Sequence, residues 1–540
     1  KAGVDARRFQ TNNFQPQTSM GNYTFNGPYT AQTNQTYAHG FGDFLLGLPQ
    51  QQRILIPVGF DANRLRNTRL SLYVQDDINV TPRLTINAGL RWERDGNWTE
   101  KNNRWAYFDF ARGEVVYPRA LTIPFAIPYP YRQDDITSMK PPTNKAFAPR
   151  FGFAWRPFGG NRTVVRAAYG IFWAQPIANI MLNTALTPPP FLLRQDFTSS
   201  ATRPELAFGV FPGASADQFV PRNPGFFTQN PFDFSNGYVQ QWNFAMEREL
   251  VQHWVGQISY VGSKGTHLER RYEGNPALPP RAGSLNDRRA YPIFRALTLQ
   301  NSNSFSTYHS LQIKGERRYR NGLSILTGYT FAKSLDDTSA WTGLGGQESQ
   351  FAQDPSRLFL EKGRSGFDLR HRFTMTFVYD LPLHFKMRAA EAAFGGWQIS
   401  GILTLQTGFP LTATAGGDTP NAGAGTVRPD LIAAANLDPG ERNIDRWFNT
   451  AAFRAPAPFA FGTAGRNILD GPGQQAFDFS LMKFFPITER HKLQFRAEFF
   501  NFPNHANFGL PNASFGNAAF GTIRSASGGR EVQLALKYTF

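Results

Sequence analysis

Apolar and polar positions alternate along much of this chain with a period of two. In "RLTINAGLRWE", Leu84, Ile86, Ala88, Leu90 and Trp92 share one face, and Thr85, Asn87, Gly89, Arg91 and Glu93 take the other. "LQIKGERRY" sets Leu311 and Ile313 against Gln312, Lys314, Glu316 and Arg318, and "HKLQFRAEFF" sets Leu493, Phe495, Ala497 and Phe499 against Lys492, Gln494, Arg496 and Glu498. One apolar and one charged face at this spacing define a strand buried on one side only. The pattern predicts strands near 1–10, 67–79, 83–96, 147–157, 163–175, 238–250, 254–264, 306–319, 323–336, 367–381, 396–410, 475–485, 491–502 and 529–540, about 14 in all.

The links between these strands alternate in length. "VTP" (80–82), "FGGNR" (158–162), "RNG" (320–322) and "PITE" (486–489) are tight, and 382–395 is somewhat longer. Between the pairs run 97–146, 176–237, 265–305, 337–366 and 411–474, rich in Pro, Gly, Ala and polar residues. Strict alternation puts every long loop at one end. The fold class expected is therefore all-β: a transmembrane antiparallel β-barrel with short periplasmic turns and long extracellular loops. In lipid every backbone N–H and C=O needs a partner, which favours closure over an open sheet. Aromatic residues near strand ends, Tyr73, Trp92, Trp155, Trp173, Trp242 and Tyr260, are expected to form interfacial girdles. The competing reading is a soluble all-β protein with these rings in its core. Strands this long with strongly charged opposite faces argue against it.

Composition supports the barrel. Of 540 residues, 15% are aromatic and 18% charged, yet mean hydropathy is only −0.40, as alternation requires. No apolar run reaches the roughly 18 residues of a membrane helix. Cysteine is absent, which excludes disulfides, thiolate metal sites and cysteine nucleophiles. The net charge of +16 comes from basic residues scattered through strands and loops. No compact Lys/Arg block marks a nucleic-acid site, so anionic lipid or anionic solute is the expected counterpart. A secretory signal is expected upstream of Lys1.

Several stretches resemble the barrel of TonB-dependent outer-membrane receptors: "FGDFLLGLP" (41–49), "LSLYVQDDINVTPRLTINAGLRWE" (70–93), "FAPRFGFAWRPFGGNRTVVRAAYGIFW" (147–173), "GFDLRHRFTMTFVYDLP" (366–382), "GGWQISGILTLQTGFPLT" (395–412) and "LQFRAEFFNFPNHANF" (493–508). They look most like the Oar-like branch, which carries a carboxypeptidase-regulatory-like domain and a plug ahead of the barrel. The resemblance implies passage of a bulky substrate (oligosaccharide, peptide or protein) driven through TonB, which would engage an upstream plug. Such barrels have about 22 strands. Residues 1–540, with about 14 and nothing like a plug or TonB box, are expected to be one barrel domain, the C-terminal part of a longer receptor. The alternative is a plugless barrel serving as a surface adhesin, a structural component or a passive porin.

Candidate chemistry is sparse. "SLMK" (480–483) has the Ser-x-x-Lys spacing of penicillin-binding enzymes, but Ser480 and Lys483 fall on opposite strand faces and the companion motifs are missing. The eight histidines show no helical metal spacing, and His371 reads as a hydrogen-bonded structural residue. Asp76/Asp77 make a poor chelate; Asp134/Asp135 and Asp336/Asp337 lie where cation binding or plain solvation would serve. "GLGGQ" (343–347) and "AGAGT" (422–426) lack the context of a phosphate loop. No enzyme activity and no cofactor are expected. Trp98, Trp105, Tyr107, Tyr131, Arg132 and Trp341, in the external loops, are the candidate substrate contacts, with packing of the loops on one another as the alternative. In the last strand Val532, Leu534, Leu536 and Tyr538 are expected to face lipid with Phe540 at the periplasmic interface. The strand would pair with the first of the complete barrel. The resemblance implies that its terminal aromatic is read by the barrel-assembly machinery.

Overall fold

The computed structural model describes residues 1–13, 21–30, 40–57, 62–123, 126–158, 160, 162–186, 188, 191–199, 205–209, 225–228, 232–339, 351–488 and 490–540. Fourteen long strands form one antiparallel meander: β1 (Ala2–Asn13), β2 (Asn63–Thr81), β3 (Leu84–Asp95), β4 (Thr143–Trp155), β5 (Thr163–Trp173), β6 (Tyr238–Val251), β7 (Trp254–Glu273), β8 (Leu297–Arg320), β9 (Leu323–Asp336), β10 (His371–Asp380), β11 (Trp397–Gln406), β12 (Gln474–Pro486), β13 (Lys492–Phe500) and β14 (Glu531–Thr539). Each pairs with its sequence neighbours among the fourteen, as the alternation predicts. Three short pieces, Thr99–Glu100, Phe226–Thr228 and Gly363–Arg364, extend the sheet at the long-loop end.

The turn end is built locally. Arg320 pairs with Leu323, so Asn321 and Gly322 alone make the β8–β9 turn, with φ of 50° and 77°. Positive φ at both central residues matches the right-handed twist of the flanking strands, and Asn-Gly reaches that region at least cost. The tight connections thus fall at residues 82–83, 156–162, 252–253, 321–322 and 487–491, and 381–396 is the longer sixth.

Register fixes the faces. Val74 pairs with Leu90, Ile258 with Ile313, and Phe495 with Leu536, so apolar residues line up around one side of the wall. They stay exposed: Val74 is 58% accessible, Phe151 52% and Leu536 70%. In water this belt would be a liability of unusual size. In a bilayer it is the surface that faces lipid. Trp92, Trp173, Trp242 and Tyr260 stand on it toward the loops, and Trp155 toward the turns. Tyr73 departs from the expected girdle. It shares the inner face with Ser71 and Gln75, and its ring lies over Gly3, where an added Cβ would come within 2.6 Å of it.

The densest apolar packing lies outside the barrel wall. Three buried clusters form from the long connections, one around Trp98, Trp105 and Met181, one around Phe108, Tyr117 and Phe294, and one around Phe448, Phe453 and Leu469. β7 and β8 run further than their alternation indicates, carrying the ladder up to Glu273 and Thr298. There Arg270, Arg271, Gln300, Ser302 and Ser304 are buried against the loops.

Two edges remain. Among the described residues β1 pairs only with β2, β14 only with β13, and no ladder joins β1 to β14. The start strand β1 is thus not the partner of β14 among the described residues, and the expected pairing with the first strand of a complete barrel is not seen here. Val532, Leu534, Leu536 and Tyr538 share the lipid-facing side, and Phe540 stacks on Tyr538 with ring centroids 5.9 Å apart.

Candidate functional site

Strand parity places the polar residues on the inner wall. One ladder row runs Gln75, Gly89, Arg150, Gly170, Gln241, and the next runs Asn87, Gly152, Ala168, Asn243. The glycines leave a hollow of about 340 Å³ between the amide side chains. A Cβ on Gly89 or Gly152 would sit 3.2 Å from a neighbouring carbonyl oxygen, so a larger residue both fills the hollow and presses on the wall. The Arg150 guanidinium lies across Phe172, 4.7 Å from its ring centroid. Among the described residues Arg150 has no carboxylate partner. Its neighbours are paired: Arg91 with Glu93, and Asp77 with Lys1 at 3.8 Å while accepting a hydrogen bond from Asn87. At this point the inner wall therefore offers a cation with no carboxylate partner among the described residues, flanked by amide donors and acceptors, a surface suited to hydroxylated or anionic solute.

Above this wall the long loops form a cap with charged pillars. Asp95 at the end of β3 accepts from Arg69 at 3.2 Å and from Lys140 and Asn236 at 3.4 Å each. Burial holds the Lys140 ammonium below its usual pKa, with Asp95 pulling the other way. Arg69 also lies against the rings of Phe9 and Trp98, at 5.8 and 5.6 Å. Further up, Arg270 meets Asp337 at 2.7 Å, Arg428 meets Glu361 at 2.8 Å, Arg289 meets Glu273 at 3.5 Å, and Arg466 pairs with Asp336. All of these side chains are nearly closed to solvent.

These contacts decide several expectations. Asp336 and Asp337 each take an arginine rather than forming a cation site, and Asp134 and Asp135 pair with Arg132 and Arg119. Among the described residues no group of three or more His, Asp or Glu is placed to hold a metal ion. His371 Nδ1 lies 2.8 Å from the Tyr329 hydroxyl, the two rings stacked on the outer face.

Of the candidate substrate contacts, Trp98, Trp105 and Tyr107 are 0%, 1% and 5% exposed. They lie in the core of the cap, the arrangement of the alternative in which the loops pack on one another, because loops that long bury their own aromatic side chains when they fold together. Arg132 belongs to a small sheet of Tyr107–Asp109, Glu114–Pro118 and Tyr131–Asp134. It bonds Asp109 at 2.9 Å and also Glu114, and lies 3.5 Å from Asp134. Burial opposes its charge, but the hydrogen bonds to Glu114 and Asp109 outweigh that and hold its pKa above the usual range. Of the five that are described, Tyr131 alone stands open, at 43%. Trp341 lies outside the described residues, as does "GLGGQ". Sequence reasoning missed Arg150 because a lone arginine in a strand carries no motif. The glycines facing it across both ladders were the available signal.

The chain matches the family described as "Outer membrane beta barrel domain" over residues 1–533. No curated protein matches it. Among solved structures it is similar to the FrpB iron transporter from Neisseria meningitidis (F5-1 variant), at 11% identity and TM-score 0.42, covering 100% of this chain and 53% of that one. It is also similar to the ferric-catecholate import receptor Fiu from E. coli K12, at 11% identity and TM-score 0.41, covering 91% and 50%. A third is the ferripyoverdine receptor of Pseudomonas aeruginosa, at 11% identity and TM-score 0.42, covering 89% and 40%. The chain spans about half the length of these structures or less.

Proposed function

The chain belongs to the outer-membrane β-barrel domain family and is an integral outer-membrane protein, and from that premise we propose that it is the barrel section of a TonB-dependent receptor of the Oar-like branch. In this reading it forms part of the wall along which a bulky oligosaccharide, peptide or protein crosses the membrane. The observation that carries the reading is the inner wall: a glycine-floored hollow with an uncompensated Arg150, lying beneath a folded cap. An adhesin or structural barrel would need the cap and has no use for the hollow. Tyr131 presents its ring to arriving substrate, and Arg132 holds the small sheet that presents it.

The unpaired edges of β1 and β14 belong to the same proposal. Each edge strand leaves a row of backbone groups that lipid cannot satisfy. Further strands of the receptor complete the wall, and a plug upstream couples it to TonB. The strand Glu531–Thr539 with Phe540 then serves as the address read by the assembly machinery.

Uptake tests the reading. Cells producing the full-length protein are given size-graded fluorescent oligosaccharides and peptides, with TonB present or deleted. Uptake of large probes that vanishes without TonB supports the receptor. Passage that persists without TonB and rises in proportion to concentration marks a passive porin. Surface display with no passage marks an adhesin.

A further inference from the structure

The turn-end connection 381–396, "LPLHFKMRAAEAAFGG", differs from the five tight ones. It holds a short helix, Arg388–Phe394. Lys483 of β12 faces outward, because its ladder partners Trp397 and Phe495 do, and Phe495 in turn opposes Leu536. A lone ammonium on the lipid face is costly. Here Lys483 is only 3% exposed. Its Nζ donates to the Gly395 carbonyl and, at 3.3 Å, to that of Ala393, and it sits 5.1 Å from the Trp397 ring and 5.2 Å from that of Phe485. Trp397 Nε1 donates to the same Ala393 carbonyl at 3.1 Å. A cation at the C-terminal carbonyls satisfies acceptors that the helix itself leaves open. The helix end is thereby clamped on the outer side of the wall, at the turn end.

Beside this clamp an apolar group stands exposed among the described residues. Leu383, Phe385, Met387 and Phe394 are 42%, 41%, 67% and 60% exposed, and Phe385 and Phe394 have ring centroids 6.0 Å apart. Glu391 accepts from the Phe385 N–H at 2.6 Å and lies 3.6 Å from His384 Nδ1, which ties the helix to the segment before it. Lys386 and His384 are exposed beside them. The group continues the lipid-facing belt of the wall down to its periplasmic rim.

We propose that residues 381–396 are an interfacial foot that lies in the periplasmic leaflet, with Leu383, Phe385, Met387 and Phe394 among the acyl chains and Lys386 against phospholipid phosphate. A short segment with an apolar side and a basic flank settles at this depth. Lys483 is the pin that ties the foot to the barrel and so sets how deep the wall sits.

The native chain has no cysteine, so a single introduced thiol reports one place. The full chain is reconstituted in vesicles of phosphatidylethanolamine and phosphatidylglycerol, with a nitroxide on Met387→Cys or on Gln252→Cys in the tight β6–β7 turn. The foot predicts that collisions with oxygen exceed those with a water-soluble nickel chelate at 387, and that the order reverses at 252. Lys483→Met is expected to raise the mobility of the 387 label while the barrel keeps its heat-modifiable migration. Chelate access at 387 equal to that at 252 overturns the proposal. Shielding of 387 from both reagents does so too, since it would mean that protein covers the segment. An unchanged 387 label in the Lys483→Met barrel overturns the clamp.

Discussion

Arg428 and Glu361 lie 2.8 Å apart in the cap, with side chains each 6% exposed. Removing one member of such a pair leaves a buried charge, a loss of about 3–5 kcal/mol. Arg428→Ala is expected to raise hydrogen exchange across 351–364 and leave β10 and β11 protected. Glu269 gives the cap a pH dependence. Burial pushes its carboxyl up to about 7, with Arg271 pulling it down. A raised acid binds its proton more tightly in the folded state than in the unfolded one. The contribution of Glu269 to cap stability is therefore fully present below the unfolded value near 4.5, is lost as pH rises to about 7, and is level above that. Protease cleavage of the cap should speed up across that window, and Glu269→Gln should flatten the change. At this scale the sequence said least. Trp98 and Tyr131 look alike in a loop, and only the fold of the loops decides which is buried. Asp336 and Asp337 leave cation binding and plain solvation both open until Arg466, far along the chain, and Arg270, two strands away, are brought to them.

At the scale of elements, all fourteen long strands were legible, because a wall with lipid on one side and polar lumen on the other favours alternation along each strand. β7 and β8 ran beyond their reading where that constraint ends. Above the bilayer, Glu269, Arg270 and Arg271 have no lipid side, and the ladder is held by the cap instead. Turn chemistry was equally legible at Asn321-Gly322. Gly322 has φ of 77°, and a Cβ there would come within 2.7 Å of the Asp380 carbonyl oxygen. Gly322→Val is expected to cost about 1–2 kcal/mol from the left-handed backbone alone, with more from the contact. The heat-modifiable fraction after refolding should fall, and Gly322→Asn should restore part of it.

At the scale of the molecule, polar and apolar surface are divided by environment rather than by depth. The wall carries its apolar residues outward to lipid and its charges inward, while the packed cores sit in the loops. This division accounts for a basic chain of modest mean hydropathy with a large exposed apolar belt. It also predicts a channel effect for Arg150. Arg150→Glu in the assembled barrel should lower the preference for anions, read as a shift of reversal potential under a salt gradient across a planar bilayer.

The central claim is that the long loops lie outside the cell and the tight turns in the periplasm. Single thiols at Gly440→Cys, where the cap leaves open space, and at Gln252→Cys in the β6–β7 turn test it directly. Intact cells exporting the chain are treated with a maleimide carrying a polymer too large for porins. The account predicts labelling at 440 on intact cells, and at 252 only after the outer membrane is opened. Labelling at 252 on intact cells, or protection of 440 until the membrane is opened, would contradict it.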